Sequence, residues 1–440
     1  MHVRTLILGG GPAGVSAAYH LKGAEHLIVE SKDSLGGLAG SVNKNGFCFD
    51  YTGHLLHLHD PYTLKLIPEL LAGNITKHDR RAWIYSNGIF TKYPFQVNTF
   101  GLPPKVVDEC VRGFRQAVNA RKQGDLKGSF SDWVMNTFGP GFAKHFFTPY
   151  NEKLWTVSLE DMTTEWMGQF VPVPKASEVD AGALGHVNKA FGYNASFYYP
   201  IRGGVNALVT VLALKGNVNA LFNTRVMRVH MGSKCVDVDG GHPNTPRRIF
   251  FDNLINTLPL RTFGHMIIDA PKMVNAAASR LRATSVYNLN LGVQRENCGD
   301  GKHWVYFPEK QFPFYRVGFP HTFSTESVPK GCSSVYVECA HNPINGAMVM
   351  PRLKRDCIKA LNDCGILRSD DKILAEVELV IPTAYVIYDK ARTPNVNVIM
   401  DYLAKNKVHS LGRYGQWKYS FVEEAVLEGK KVAENILGGL

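Results

Sequence analysis

The chain has 440 residues, 45% of them hydrophobic and 20% charged, a balance that suits two or three packed units and excludes a disordered, collagen-like or coiled-coil chain. Lys and Arg number 49 against 38 Asp and Glu, a formal charge of +11; the cations are scattered, in short groups such as residues 77–81 and Arg352, Lys354 and Arg355, which suits an anionic small molecule better than nucleic acid. No run approaches the ~18 apolar residues of a membrane span, residues 1–7 lack the marks of a signal peptide, and the eight cysteines include no CxxC pair, so a cytoplasmic protein with free thiols and no membrane association is expected.

Residues 3–8, Val-Arg-Thr-Leu-Ile-Leu, predict a strand, and residues 15–21 predict a helix. Between them Gly9, Gly11 and Gly14 stand at GxGxxG spacing. The first glycine permits a tight turn, the second lets the backbone approach a pyrophosphate, and the third lets helix and strand pack closely. A second strand, residues 26–29, ends at Glu30, placed to bind ribose hydroxyls.

A second glycine turn, Ser-Leu-Gly-Gly-Leu-Ala-Gly at residues 34–40 with Gly37 inside it, follows the acidic residue. A nicotinamide dehydrogenase has no need of it, whereas FAD requires the backbone to pass close to the flavin end. At this point the chain resembles the flavoproteins that include amine oxidases, protoporphyrinogen oxidases, carotenoid desaturases and UDP-galactopyranose mutases. His54, His57 and His59 follow. Neither strand nor helix geometry gathers all three on one face, so no metal site is expected; a loop lining the flavin, with His54 near its ring, is.

The middle of the chain is more specific. Tyr-Pro-Phe-Gln-Val-Asn at residues 93–98, Phe-Thr-Pro-Tyr-Asn-Glu-Lys-Leu-Trp at 147–155, Phe-Tyr-Tyr-Pro-Ile-Arg-Gly-Gly at 197–204, Trp-Val-Tyr-Phe-Pro at 304–308, Pro-Phe-Tyr-Arg at 313–316 and Gly-Arg-Tyr-Gly-Gln-Trp-Lys-Tyr at 412–419 closely resemble the UDP-galactopyranose mutases, especially their eukaryotic branch, in collinear blocks over nearly the whole chain. The resemblance implies that Arg202 and Arg316 grip the diphosphate of a nucleotide-sugar, and a pair of arginines is what a diphosphate needs. It implies that Tyr93 and Gln96 meet the nucleobase, that Asn151, Trp155, Trp304, Tyr306 and Tyr419 surround sugar, diphosphate and flavin, and that Gly412 and Arg413 lie at the cofactor. A phosphate-contacting tyrosine of the mutases is matched by Tyr388 or Arg392. The chain departs from the pattern in a shorter segment before the last helix and in His57, which stands where the mutases have an aromatic residue.

The expected fold is α/β: a Rossmann-like FAD-binding domain built from residues 1–85, 196–265 and 396–440, a helical substrate lobe over 86–195, and a mixed or antiparallel β-sheet substrate domain over 266–395. Two helices are expected in 103–145, with Ser129 capping the second, and a last helix over 422–437. The implied activity is an FAD-dependent interconversion of pyranose and furanose forms of a UDP-galactose-like substrate. It would run through a covalent adduct at flavin N5, with His54, Tyr306, Tyr419, Arg202 and Arg316 at the reacting centre and NADPH or NADH reducing the flavin. A homo-oligomer is compatible with this. The alternatives are an amine oxidase or desaturase of the same superfamily, and a flavin-less binding protein like the Rab GDP-dissociation inhibitors.

Overall fold

Two sheets organise the chain. The computed structural model describes residues 1–120, 128–167, 171–187, 191–192, 194–240 and 247–438; the parts of the expected 103–145 and 218–258 stretches at 121–127 and 241–246 lie outside them. In the first sheet His2–Leu8 lies between His26–Val29 and Arg248–Asn256, parallel to both. Ala220–Leu221 extends one edge, while Cys235–Gly240 and Val408–Ser410 pair with opposite ends of Arg248–Asn256. Successive side chains point to opposite faces. Ile7, Ile28 and Ile255 therefore join a core with helices Pro12–His20, Asn206–Lys215 and Val422–Gly438. Leu6, Leu8, Leu27 and Leu254 join another with helices Leu260–Met266, Lys272–Arg280 and Arg392–Lys405. Burial on both faces explains why these strands read as apolar runs.

The second sheet runs Ile373–Ile381, Ser285–Val293, Ser333–His341, Arg316–Gly318, Trp304–Tyr306, Ala82–Ser86 and Ile89–Lys92. All its pairings are antiparallel except that of Trp304–Tyr306 with Ala82–Ser86. Ala82–Ser86, placed by sequence at the end of the first segment, thus joins the sheet of residues 266–395. The helical lobe includes Pro104–Ala120, Phe130–Phe142, Thr148–Trp155 and Ala176–Ala183. Ser129 and Asp132 close a reciprocal capping box on the second of these. No helix among the described residues is long and apolar enough to cross a membrane.

Candidate active site

The two glycine turns meet face to face. The amide of Gly36 donates to the carbonyl of Gly10 (2.8 Å). Gly37, at φ +57°, stands so close to Gly11 that a Cβ on it would lie 3.0 Å from the Gly11 Cα. A Cβ on Gly11 itself would find only the Gly37 Cα, at an ordinary contact distance of 3.9 Å, so the side of Gly11 without a neighbour is where a ligand backbone could approach. A Cβ on Gly14 would fall 2.1 Å from the Gly9 carbonyl, the close helix–strand approach that the spacing implied. Helix Pro12–His20 begins at Gly11 with no side-chain cap and no acidic residue in its first turn, so its positive end is uncompensated there. Glu30, buried, accepts from the amides of Gly10 (2.7 Å) and Lys32 (2.9 Å). Gly412, at φ +79°, brings the 412–413 turn against Ala13, and the Arg413 Nε is buried without a partner. The open side of Gly11, uncapped helix end, acidic residue and orphaned guanidinium nitrogen fit a dinucleotide. Gly9, Gly11, Gly14, Glu30, Gly37, Gly412 and Arg413 would hold it.

Beside the 412–413 turn tyrosines gather into a cluster, the tyrosine chamber. Tyr306 packs on Tyr93 and on Tyr150, both at 5.4 Å between centroids. Tyr419 stacks on Tyr385 (6.4 Å, 19°) and contacts Trp155 (6.5 Å). Arg413 lies 5.0 Å over the Tyr419 ring and 5.2 Å over that of Tyr385, its terminal nitrogens donating to the carbonyls of Ser420 (2.9 Å) and Ala384 (3.3 Å). These partners are neutral, so the charge of Arg413 is not cancelled by a carboxylate among the described residues. His54 stands between the arginines: burial, with Arg413 nearby, lowers its imidazole to about 4, so it is neutral at pH 7.

Arg316 is committed elsewhere. Its Nε and Nη2 donate to Glu338, whose side chain is fully buried. Glu338 also accepts from the Tyr315 hydroxyl and from the Gly53 amide (3.2 Å), so it ties the histidine loop to Arg316. The Nη1 end of Arg316 makes no hydrogen bond among the described residues. Tyr336 fills the space left by Gly53 and Gly318, where a Cβ would strike its ring or hydroxyl at 2.3 and 2.1 Å.

Arg202 does not join this chamber in the structure, so the two arginines expected to grip a diphosphate stand apart. Its side chain is 77% exposed and lies 3.6 Å from Glu326, and its backbone exchanges hydrogen bonds with the Asn74 side chain. The cause is the turn beyond it. Asp50, buried and pushed up to about 6 by desolvation, accepts from Ser41 (2.6 Å), Tyr199 (2.5 Å) and the Val205 amide (3.2 Å), which fixes residues 203–205 inward and leaves Arg202 outside.

Tyr388 and Arg392 form a layer behind the site instead of its wall. The Tyr388 hydroxyl accepts from the Tyr419 amide (2.8 Å), and Arg392 lies 4.2 Å over the Tyr388 ring and donates to the Trp417 carbonyl. Gln96 is buried and donates to the Pro172 carbonyl (2.7 Å), Asn151 to that of Phe147 (2.8 Å). Trp304 packs against Phe197 (5.9 Å), and Trp155 is buried beside Trp166 and Tyr385. His57 and His59 go separate ways, the first to the Ser196 carbonyl and the second beside Glu423. No trio of metal-ligating side chains occurs among the described residues.

A family model described as flavin containing amine oxidoreductase matches residues 12–437. The chain belongs to that family. Among solved structures this flavin-family chain is similar to a reduced UDP-galactopyranose mutase, with a TM-score of 0.92 at 24% identity, covering 100% of this chain and 95% of that one. It is similar to a protein described as a protoporphyrinogen oxidase from Exiguobacterium sp. 255-15, with a TM-score of 0.75 at 13% identity and 99% of each chain covered. It is also similar to cyclohexylamine oxidase from Brevibacterium oxydans IH-35A, with a TM-score of 0.67 at 15% identity and 99% of each chain covered. At these identities the likeness is one of fold, and the fold is that of a flavoprotein with a Rossmann-like domain and a sheet-based substrate domain.

The flavoprotein's chamber also contains residues that motif reading missed. Glu338, Tyr336 and Tyr385 lie inside buried strands or loops where single polar residues carry no local signature. Arg80, which lies 4.7 Å over the Tyr93 ring and donates to the Phe191 carbonyl (2.6 Å), was visible only as part of a charged cluster.

Proposed function

We propose that this flavoprotein is an FAD-dependent mutase that interconverts pyranose and furanose forms of a nucleoside-diphosphate sugar, with a UDP-galactose-like substrate as the working case. The observation that carries the reading is the charge balance of the chamber. The carboxylate felt by His54, Tyr150, Tyr336 and Tyr385 is Glu338, and it is consumed by Arg316, Tyr315 and Gly53. Arg413 and Arg80 remain without a carboxylate among the described residues. A cationic amine would meet uncompensated positive charge here, whereas a diphosphate would be drawn in.

FAD, when bound and reduced by NADPH or NADH, supplies a nucleophilic nitrogen for the anomeric carbon. The chain's own groups do the rest. On this reading the Nη1 of Arg316 and the hydroxyls of Tyr306 and Tyr419 would hydrogen-bond the departing diphosphate, and donors fixed before the reaction stabilise developing charge without reorganisation cost. Neutral His54 offers one ring nitrogen as a hydrogen-bond acceptor and the other as an N–H donor beside the reacting centre. The ring of aromatic side chains excludes water from the opened sugar.

The test is anaerobic turnover. Dithionite-reduced protein is given a panel of nucleoside-diphosphate hexoses and pentoses, and products are separated by chromatography. Isomerisation without oxygen uptake supports the mutase. Oxygen-consuming turnover of an amine with no sugar isomerised would replace it with the oxidase reading.

A further inference from the structure

Lys153 has no part in the roles assigned above, yet it is turned into the protein. It lies on the short helix Thr148–Trp155, and its Nζ donates to the carbonyls of Phe307 (2.7 Å), Glu309 (2.5 Å) and Phe314 (3.2 Å). All three carbonyls belong to the connection 307–315 that joins Trp304–Tyr306 to Arg316–Gly318. Tyr306 and Arg316 face each other as register partners at its two ends. The Glu309 carboxylate is not part of the cage, since it accepts from the Asn87 amide (2.6 Å). An ammonium has three N–H donors, and here three carbonyls receive them.

The same helix carries Tyr150, whose ring meets Tyr306 edge-on, and Asn151 and Trp155 beside it. The connection itself contains two prolines and few backbone bonds of its own, namely Phe307 amide to Tyr315 carbonyl (2.9 Å) and Phe312 amide to Glu309 carbonyl (3.3 Å). Its buried Phe307, Phe312, Phe314 and Tyr315 side chains and the Tyr315 amide bond to the Glu338 carbonyl (2.9 Å) tie it to the sheet, and the charged three-point anchor ties it to the helix. Desolvation pushes Lys153 down to about 7. The nearby Cys339 and Glu309 oppose that, and a neutral amine would present a lone pair to one of the three oxygens.

We propose that Lys153 is a positioning residue: its ammonium pins the 307–315 connection to the helix Thr148–Trp155 and so sets where Tyr306 and Arg316 stand in the anion-binding chamber. The inference rests on the reading of Tyr306 and Arg316 as substrate-facing groups, and its test separates the two.

The experiment uses the FAD-loaded protein, with UDP as the probe, in wild type, Lys153→Met and Lys153→Gln. Hydrogen–deuterium exchange is read over residues 304–318 and UDP affinity by calorimetry. Lys153→Met keeps the length of the side chain and removes every donor. Faster exchange confined to 304–318, with Ser285–Val293 as protected as before, and UDP binding about tenfold weaker are the expected results. Lys153→Gln, which retains two donors, falls between the two, and carries the test if Lys153→Met does not fold. Unchanged exchange at 304–318, or a rise that extends equally to Ser285–Val293, overturns the proposal. If wild type fails to bind UDP while exchange responds as stated, Lys153 keeps its role and the nucleotide reading of the site falls.

Discussion

Arg316 and Glu338 are direct register partners on adjacent antiparallel strands, and Glu338 receives two nitrogens of the guanidinium at 2.7–3.1 Å. The pair is internally neutral, so Arg316 enters the chamber as an oriented donor more than as a net charge.

Removing one member of a buried pair leaves the other uncompensated, which costs far more than the pair contributes. Glu338→Gln keeps the shape but strands the Arg316 charge and weakens the bonds from Tyr315 and Gly53. Its expected effect is a loss of about 3–5 kcal/mol in unfolding free energy, measured by urea denaturation. A loss below about 0.5 kcal/mol, the range of ordinary surface substitutions, would show that the pair is solvated in solution.

Gly11 and Gly14 make opposite predictions from the same turn. An alanine at Gly11 meets nothing closer than 3.9 Å, and its backbone, at φ −75° and ψ 178°, is open to any residue. Gly11→Ala is therefore expected to fold with near wild-type stability and to lose FAD, because its methyl group occupies the side of Gly11 where the ligand backbone would approach. Gly14→Ala places a methyl 2.1 Å from the Gly9 carbonyl and is expected to destabilise the fold itself. Flavin absorbance after gel filtration, together with thermal denaturation, separates the two. Full flavin content in Gly11→Ala would mean that the cofactor passes elsewhere.

Why the glycine turns were legible and the Arg316–Glu338 arrangement was not follows from where each is encoded. Gly9, Gly11, Gly14 and Glu30 act within one short stretch, so local spacing carries their geometry. The capping box of Ser129 and Asp132 is local in the same way. Glu338 acquires its role only through register with Arg316 and contact with Gly53, a loop 285 residues away in sequence. The placement of Arg202 is non-local for the same reason: the Arg-Gly-Gly string is visible, but Asp50, far upstream, bonds the Val205 amide while the arginine lies at the surface. Tyr388 reads as a wall residue, whereas its hydroxyl is used to hold the Tyr419 backbone.

His57 makes a pH prediction. Its ring lies edge-on to Phe197 (6.4 Å) and Phe421 (6.1 Å), and burial lowers it to about 4 from an ordinary value of 6.5. A base with a depressed folded pKa binds a proton more readily when unfolded, so stability is present above pH 6.5 and is lost as pH falls toward 4. His57→Phe removes that proton and suits the aromatic surroundings. It is expected to gain about 1–2 kcal/mol over wild type at pH 5 relative to its standing at pH 7.5. Chemical denaturation at the two values checks this; parallel curves would mean that His57 is solvated and titrates normally.

The outward placement of Arg202 and the inward placement of Arg413 can be told apart by ligand binding. Arg202 is exposed and shares only a loose ion pair with Glu326 at 3.6 Å, an arrangement that contributes roughly 0–1 kcal/mol. Arg202→Ala is expected to leave stability within about 0.5 kcal/mol and UDP affinity of the FAD-loaded protein within about twofold. Arg413→Lys keeps a charge but loses the planar fork that reaches both Ser420 and Ala384 and lies 5.0 Å over the Tyr419 ring. It is expected to weaken UDP binding by about tenfold and to release FAD on dialysis. The reverse pattern, with binding lost on Arg202→Ala and kept in Arg413→Lys, would require the 202–204 turn to swing inward when ligand binds. That motion would have to break the Asp50 bond to the Val205 amide, so Asp50→Asn would then be expected to raise UDP affinity, whereas with Arg202 fixed outward it does not.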